Sequence, residues 1–312
     1  MIKKTTYLLV LLAALFSCNA IGKNKPIGKI PFSINENGLI QIELLINKKK
    51  VSKFILDTGA SSTLIDDEMA SELNLSLLEG TFESTWASSE THDGRKTEKQ
   101  RITITEKVLL EGIELNVRDL SHLGDINGII GFDLFIKYVT HTDFDTQTIT
   151  FYERKGRPDT KGYKAVKFVE SYCTPEVEVT FVLENGATFN GKVFFDTGNT
   201  AFPLIINATY KRENALPLAF KSLSRSESED HSKAQMDVEI IQSLTLGGFE
   251  LGEMPVALSN AEKGVLSWEG YLGLIGLEYI NKFNVIIDYH RKKLFLKPNN
   301  SFSEDFLFHE LE

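Results

Sequence analysis

Phe54-Ile55-Leu56-Asp57-Thr58-Gly59 ends an apolar run on a carboxylate and a small turn-forming pair, and Val193-Phe194-Phe195-Asp196-Thr197-Gly198 repeats the pattern 139 positions later. One such tripeptide is weak evidence for anything. Two in matched settings point to a duplicated lobe that carries one Asp on each of two equivalent loops. The surroundings of each copy agree. Leu39 to Ile46 and Val51 to Leu56 flank the polar Asn47-Lys48-Lys49-Lys50, a hairpin signal that delivers Asp57 at its end. Val177 to Leu183, the turn Glu184-Asn185-Gly186 and Gly191 to Phe195 do the same for Asp196. A short apolar stretch then leads into a predicted helix in each half. The first runs from Asp66 to Leu75 with Asp66 or Asp67 as N-cap, the second from Asn207 to Leu216 with Asn207 as N-cap and Pro217 as the stop.

The repeat continues downstream. Gly128-Ile129-Ile130-Gly131 and Gly273-Leu274-Ile275-Gly276 stand 145 positions apart, and glycine at both ends of an apolar step permits close strand packing. Each is followed by an aromatic-rich strand signal and a closing hairpin, Val139 to Tyr152 in the first half and Phe283 to Leu296 in the second. These patterns predict an all-β, mainly antiparallel chain with few short helices, folded as two duplicated lobes. The lobes are expected at 28–155 and 171–298, joined by a linker at 156–170 that holds Gly156, Pro158 and Gly162, with an acidic tail at 299–312.

Composition and the N-terminus bound location and partners. Lys3 and Lys4 precede an apolar stretch from Tyr7 to Phe16, too short to cross a bilayer, so residues 1–18 read as a signal peptide. Leu15-Phe16-Ser17-Cys18 resembles the lipobox of bacterial lipoproteins, which implies a lipidated Cys18 and attachment to a membrane of the bacterial cell envelope, facing the periplasm or exterior. Cys173 is then the only other cysteine, so no intramolecular disulfide is expected. No Cys/His cluster has zinc spacing, and neither a metal nor an organic cofactor is expected. The formal charge of −9 argues against a nucleic-acid partner.

Two apolar-apolar-Asp-Thr-Gly segments, each followed by an apolar-apolar-Gly segment, resemble the aspartic proteases of the pepsin and retropepsin superfamily. Asp57-Thr58-Gly59-Ala60-Ser61-Ser62-Thr63-Leu64-Ile65 is most similar to the bacterial retropepsin-like members. The resemblance spans roughly residues 36 to 298 and implies a bilobal fold with a cleft between the lobes. It also implies an aspartic endopeptidase in which Asp57 and Asp196 form a catalytic dyad, braced by Ile129-Ile130-Gly131 and Leu274-Ile275-Gly276. The implied partner is a peptide or protein substrate. With both lobes in one chain, a monomer suffices.

The chemistry follows from the residue types. Two carboxyls held about 3 Å apart cannot both ionise, so the pair keeps one proton over a working range of pH. The ionised member then takes a proton from water while the protonated one donates to the carbonyl oxygen. Thr58 and Thr197 offer hydroxyls for bonds across the lobes, and Gly59 and Gly198 let backbone N–H groups approach the carboxylates. The next residues, Ala60 and Asn199, depart from the Ser or Thr usual in pepsin-like enzymes. Ala60 removes a hydroxyl that could stabilise a carboxylate, which predicts activity nearer neutral pH. Asn199 has an amide that could take that place. A flap hairpin is expected within Thr81 to Thr105, with Trp86, Ser88 and Ser89 near its tip. Lys221 to Lys233 reads as a solvated loop. The competing reading is a non-catalytic peptide-binding lipoprotein that retains the cleft and has lost turnover.

Overall fold

A computed structural model describes residues 25–80, 82–84, 92–216, 222–227 and 233–307. Residues 1–18, read above as a signal peptide ending at Cys18, and Trp86, Ser88 and Ser89, expected near a flap tip, lie outside the described residues. The N-terminal lobe runs β1 (Gly28–Pro31), β2 (Ser33–Ile34), β3 (Ile40–Ile46), β4 (Lys49–Leu56), β5 (Leu64–Asp66), α1 (Asp67–Glu72), β6 (Phe82–Ser84), β7 (His92–Thr105), β8 (Val108–Arg118), β9 (Gly128–Ile130), α2 (Phe132–Phe135), β10 (Tyr138–Asp143) and β11 (Thr148–Glu153). The C-terminal lobe follows as β12 (Lys164–Lys167), β13 (Val169–Ser171), β14 (Thr174–Leu183), β15 (Thr188–Phe195), β16 (Leu204–Ile206), α3 (Ala208–Glu213), β17 (Ser222–Glu227) and β18 (Lys233–Leu246). It closes with β19 (Phe249–Leu251), β20 (Met254–Ser259), β21 (Gly273–Ile275), α4 (Leu277–Ile280), β22 (Phe283–Asp288) and β23 (Lys293–Pro298).

Each lobe is a sheet that curls back on itself. In the first, β3 pairs with both β4 and β7; in the second, β14 pairs with both β15 and β18. Closure removes free edges and lets alternate residues point inward, as in β3, where Ile40, Ile42, Leu44 and Ile46 are all buried. A third sheet joins the lobes in the order β1-β11-β10-β22-β23-β12, with β10 against β22 at its centre. Phe132 and Phe135 from the first lobe pack on Tyr289 of the second, with ring centroids 5.4 and 6.3 Å apart, so the lobes share one continuous core.

The local signals explain the elements. The first hairpin turns on Asn47 and Lys48 alone, both at positive φ (49° and 70°), because a two-residue turn of that hand matches the twist of its strands. Lys49 and Lys50 therefore join β4. The Asp66 carboxylate accepts from the N–H groups of Glu68 and Met69, and the Asn207 side-chain oxygen accepts from those of Thr209 and Tyr210, so both helices are capped at equivalent positions.

Two segments differ from their sequence reading, and the tail acquires an order that the sequence left open. Ser222–Glu227, inside the stretch read as a solvated loop, is a strand paired residue for residue with Val238–Lys233. It is the counterpart of β6, and backbone pairing along β18 decides its conformation whatever its polarity. The segment 156–170 read as linker holds β12 and the start of β13, which repeat β1 and β2 and pair with β23 and β14. Residues 299–307, the described part of the tail, dock on the second lobe: Phe306 is buried and stacked with Tyr279, Phe302 packs edge-on against Phe283, and Lys282 Nζ donates to the Glu304 carbonyl at 2.9 Å. Phe306→Ala is expected to lower stability by about 3 kcal/mol, measured by chemical denaturation, as for other deletions of a buried phenyl ring.

Candidate active site

Parallel pairing brings the two Asp loops to the same level. β4 runs beside β9 and β15 beside β21, so the N–H of Asp57 donates to the Ile130 carbonyl and that of Asp196 to the Ile275 carbonyl, both at 3.0 Å. Gly131 and Gly276 pack against the loops just beyond. A Cβ on Gly131 would stand 2.2 Å from the Ala60 carbonyl oxygen, and one on Gly276 2.3 Å from that of Phe202, which explains why both positions are glycine. The next N–H groups complete the brace, with Phe132 donating to Ala60 O at 2.9 Å and Leu277 to Asn199 O at 2.7 Å.

Across the lobe boundary the two loops hold each other. Thr58 N–H donates to Thr197 Oγ1 and Thr197 N–H to Thr58 Oγ1, each at 3.0 Å. Each hydroxyl then donates to a backbone carbonyl of the opposite lobe, Thr58 Oγ1 to Phe195 O at 2.5 Å and Thr197 Oγ1 to Leu56 O at 3.0 Å. Both threonines are buried, so none of these groups has water as an alternative partner.

The glycines finish the arrangement. Gly59 N–H donates to Asp57 Oδ1 at 2.7 Å and Gly198 N–H to Asp196 Oδ1 at 2.9 Å. Each glycine also faces the carboxylate of the other lobe: a Cβ on Gly59 would lie 2.5 Å from Asp196 Oδ1, and one on Gly198 2.5 Å from Asp57 Oδ2. The two carboxyls thus meet at the boundary between the lobes, each beside the other lobe's glycine. Burial pushes the Asp57 carboxyl above its ordinary value, partly offset by backbone N–H groups of Gly59, Ala60 and Gly198 and by the bond to Asp196.

The pair lies in a cleft of about 1270 Å³ between the lobes. Asn199 turns away from the carboxylates: its Nδ2 donates to Phe202 O at 3.1 Å and its Oδ1 accepts from Ala201 N–H at 3.1 Å, tying off its own loop. The expected hairpin is present as β6 paired with the start of β7, and the Arg118 guanidinium lies against Gly94 of β7 at the rim of the cleft. Several cleft residues escaped the sequence reading. Asp133 accepts from both Thr63 N–H and Thr63 Oγ1 at 2.8 Å, fixing the chain after the first loop. Tyr172, Cys173, Phe194 and Trp268 line the wall on the side of the second lobe. Asp133 had a signal, since it follows Gly131 by two residues as Glu278 follows Gly276. Tyr172 and Trp268 had none, because they meet only through packing. Among the described residues no group of three or more His, Cys, Asp or Glu could hold a metal, and no helix is long and apolar enough to cross a membrane.

The chain as a whole, with its two curled lobes and shared six-stranded sheet, is similar to a known structure, the aspartic proteinase from Irpex lacteus, with a TM-score of 0.55. This is the pepsin-like and retropepsin-like fold. The match covers 89% of this chain and 98% of that one at 14% sequence identity, so it speaks for the fold. A family model described as "gag-polyprotein putative aspartyl protease" matches residues 42–136, most of the N-terminal lobe. No curated protein matches the sequence.

Two outcomes follow from this geometry. Thr197→Val leaves the Thr58 N–H and the Leu56 carbonyl without their buried partner, and a loss of about 3 kcal/mol is expected in denaturant unfolding. Because Asp57 is harder to ionise in the folded protein, its protonated form contributes stability that is full below its ordinary value of 3.8 and is lost as pH rises through the raised one. Asp57→Asn, neutral throughout, is expected to melt above the wild type near pH 7, with the gap closing toward pH 3; an equal gap at both pH values would contradict this.

Proposed function

We propose that the protein is an aspartic endopeptidase in which Asp57 and Asp196 act as one acid–base pair. The observation that carries the reading is the reciprocal placement of the two carboxyls, each hydrogen-bonded by its own lobe's glycine and faced by the other's. The family model and the fold support the same class of activity.

With one proton between the carboxyls, the ionised member takes a proton from water as the water oxygen bonds to the scissile carbonyl carbon. The protonated member gives its proton to the carbonyl oxygen, which keeps charge from building there. In the tetrahedral intermediate the carbon–nitrogen bond then breaks and a proton passes to the departing nitrogen. The products are a carboxylic acid and an amine, and the pair returns to its starting protonation. The Thr58–Thr197 bonds hold both carboxyls at fixed height through these steps. The cleft mouth and the β6–β7 hairpin provide an extended seat for a peptide.

In the same reading Cys18 carries lipid, the enzyme works from a membrane of the bacterial envelope as a monomer, and its substrates are peptides or proteins met there. The lipobox-like Leu15-Phe16-Ser17-Cys18 supports this placement.

The test is cleavage of a peptide library by the full-length protein in detergent from pH 3 to 8. Asp57→Asn and Asp196→Asn are each expected to lower turnover by a factor on the order of 10⁴. Unchanged cleavage in either variant would remove the dyad. A folded wild type that binds a statine peptide and cleaves nothing would establish the peptide-binding alternative. Ala60→Ser adds a hydroxyl that can donate to a carboxylate, favours the ionised form, and is expected to move the acidic limb of the pH–rate profile to lower pH.

A further inference from the structure

We propose that the side chains flanking the cleaved bond enter two unequal pockets, a roomier aliphatic one on the N-terminal lobe and a tighter aromatic-walled one on the C-terminal lobe, with Phe194 setting the difference. The proposal rests on the endopeptidase reading for what the cleft holds.

The duplication supplies the comparison, because the two pockets have the same backbone frame. In the first lobe Ile55, Leu64 and Ile129 come together from β4, β5 and β9, with Ile129 in register with both others. In the second lobe Phe194, Ile205 and Leu274 come from β15, β16 and β21 in the same register. All six line the cleft. Leu64 and Ile205 are of equal size, as are Ile129 and Leu274. The third position is not: Ile55 and Phe194, each two residues before its Asp, place an aliphatic chain on one side and a phenyl ring on the other.

The packing behind these residues prevents the ring from withdrawing. Ile55 is backed by the aliphatic side chains of Leu120 and Ile126. Phe194 is backed by Tyr271, the counterpart of Ile126, with ring centroids 4.7 Å apart. Tyr271 is itself buried and its hydroxyl donates to the Val265 carbonyl. At the rim the first lobe offers Leu123, whereas the second offers Trp268, whose ring centroid is 4.4 Å from that of Tyr172. Tyr172 and Cys173 both adopt positive φ (50° and 68°) in the tight turn between β13 and β14, which fixes that aromatic pair on one side of the cleft. Larger walls on an equal frame in a close-packed interior leave less room.

The test uses two hydroxyethylene peptides that differ only in the order of the flanking side chains, Leu then Ala or Ala then Leu, titrated against the full-length protein. One order is expected to bind tighter by roughly tenfold or more, the range set by a misfitted methylene or two. Phe194→Ile, or Phe194→Leu if the first fails to fold, is expected to tighten the weaker order, and Ile55→Phe to weaken the tighter one. Equal affinity of the wild type for both orders, absence of binding by either, or Phe194→Ile acting on the order already favoured would each overturn the proposal. Binding needs no turnover, so the two readings fail separately. A protein that discriminates between the peptides without cleaving substrates loses the endopeptidase assignment and keeps unequal pockets. One that cleaves with equal tolerance on both sides does the reverse.

Discussion

Everything at the centre of this molecule depends on the reciprocal hydrogen bonds between Thr58 and Thr197. Each hydroxyl accepts from the other threonine's N–H and donates to a carbonyl of the opposite lobe, so neither loop can shift along the boundary without leaving buried polar groups unpaired. In a low-dielectric interior such a closed set is stiff, because every broken bond exposes a desolvated group. The two Asp residues inherit that stiffness through a single peptide link. The raised proton affinity of Asp57 follows: its position is imposed by the lobes, and burial is tolerated because backbone N–H groups meet the charge.

The lobes reach this point by the same route. A hairpin strand ends in Asp, a parallel neighbour braces it, and a glycine lets the brace come within contact of the loop. Where the copies diverge, they divide the labour. After the bracing glycine, Asp133 clamps Thr63 beside the cleft, whereas Glu278 accepts from Leu307 N–H and pins the C-terminal tail. Ala60 and Asn199 diverge at another equivalent pair, and Asn199 spends its amide on its own turn. The Asp57 carboxyl is met by backbone N–H groups of Gly59, Ala60 and Gly198.

Much of this was legible because the relevant signals are local. Asp57 and Asp196 announce themselves by repetition, the helix caps by Asp66 and Asn207, and the braces by paired glycines in the same order in each half. What stayed hidden is of another kind. Ser222–Glu227 is polar enough to pass for a loop and becomes a strand only because β18 lies alongside. Phe302 and Phe306 look like scattered apolar residues in an acidic tail until Tyr279 and Phe283 are there to receive them.

The sequence by itself determined the duplication, the β class and the identity of the two paired carboxylates, since strand alternation, turn chemistry and a repeated tripeptide are properties of neighbouring residues. Only the tertiary structure decided that Thr58 and Thr197 exchange hydrogen bonds, that Asn199 faces away from the carboxyls, and that Phe194, Trp268 and Tyr172 wall one side of the cleft. The physical reason is distance along the chain. Those contacts join residues up to 139 positions apart, and their energies exist only after the closed sheets have brought the two lobes together.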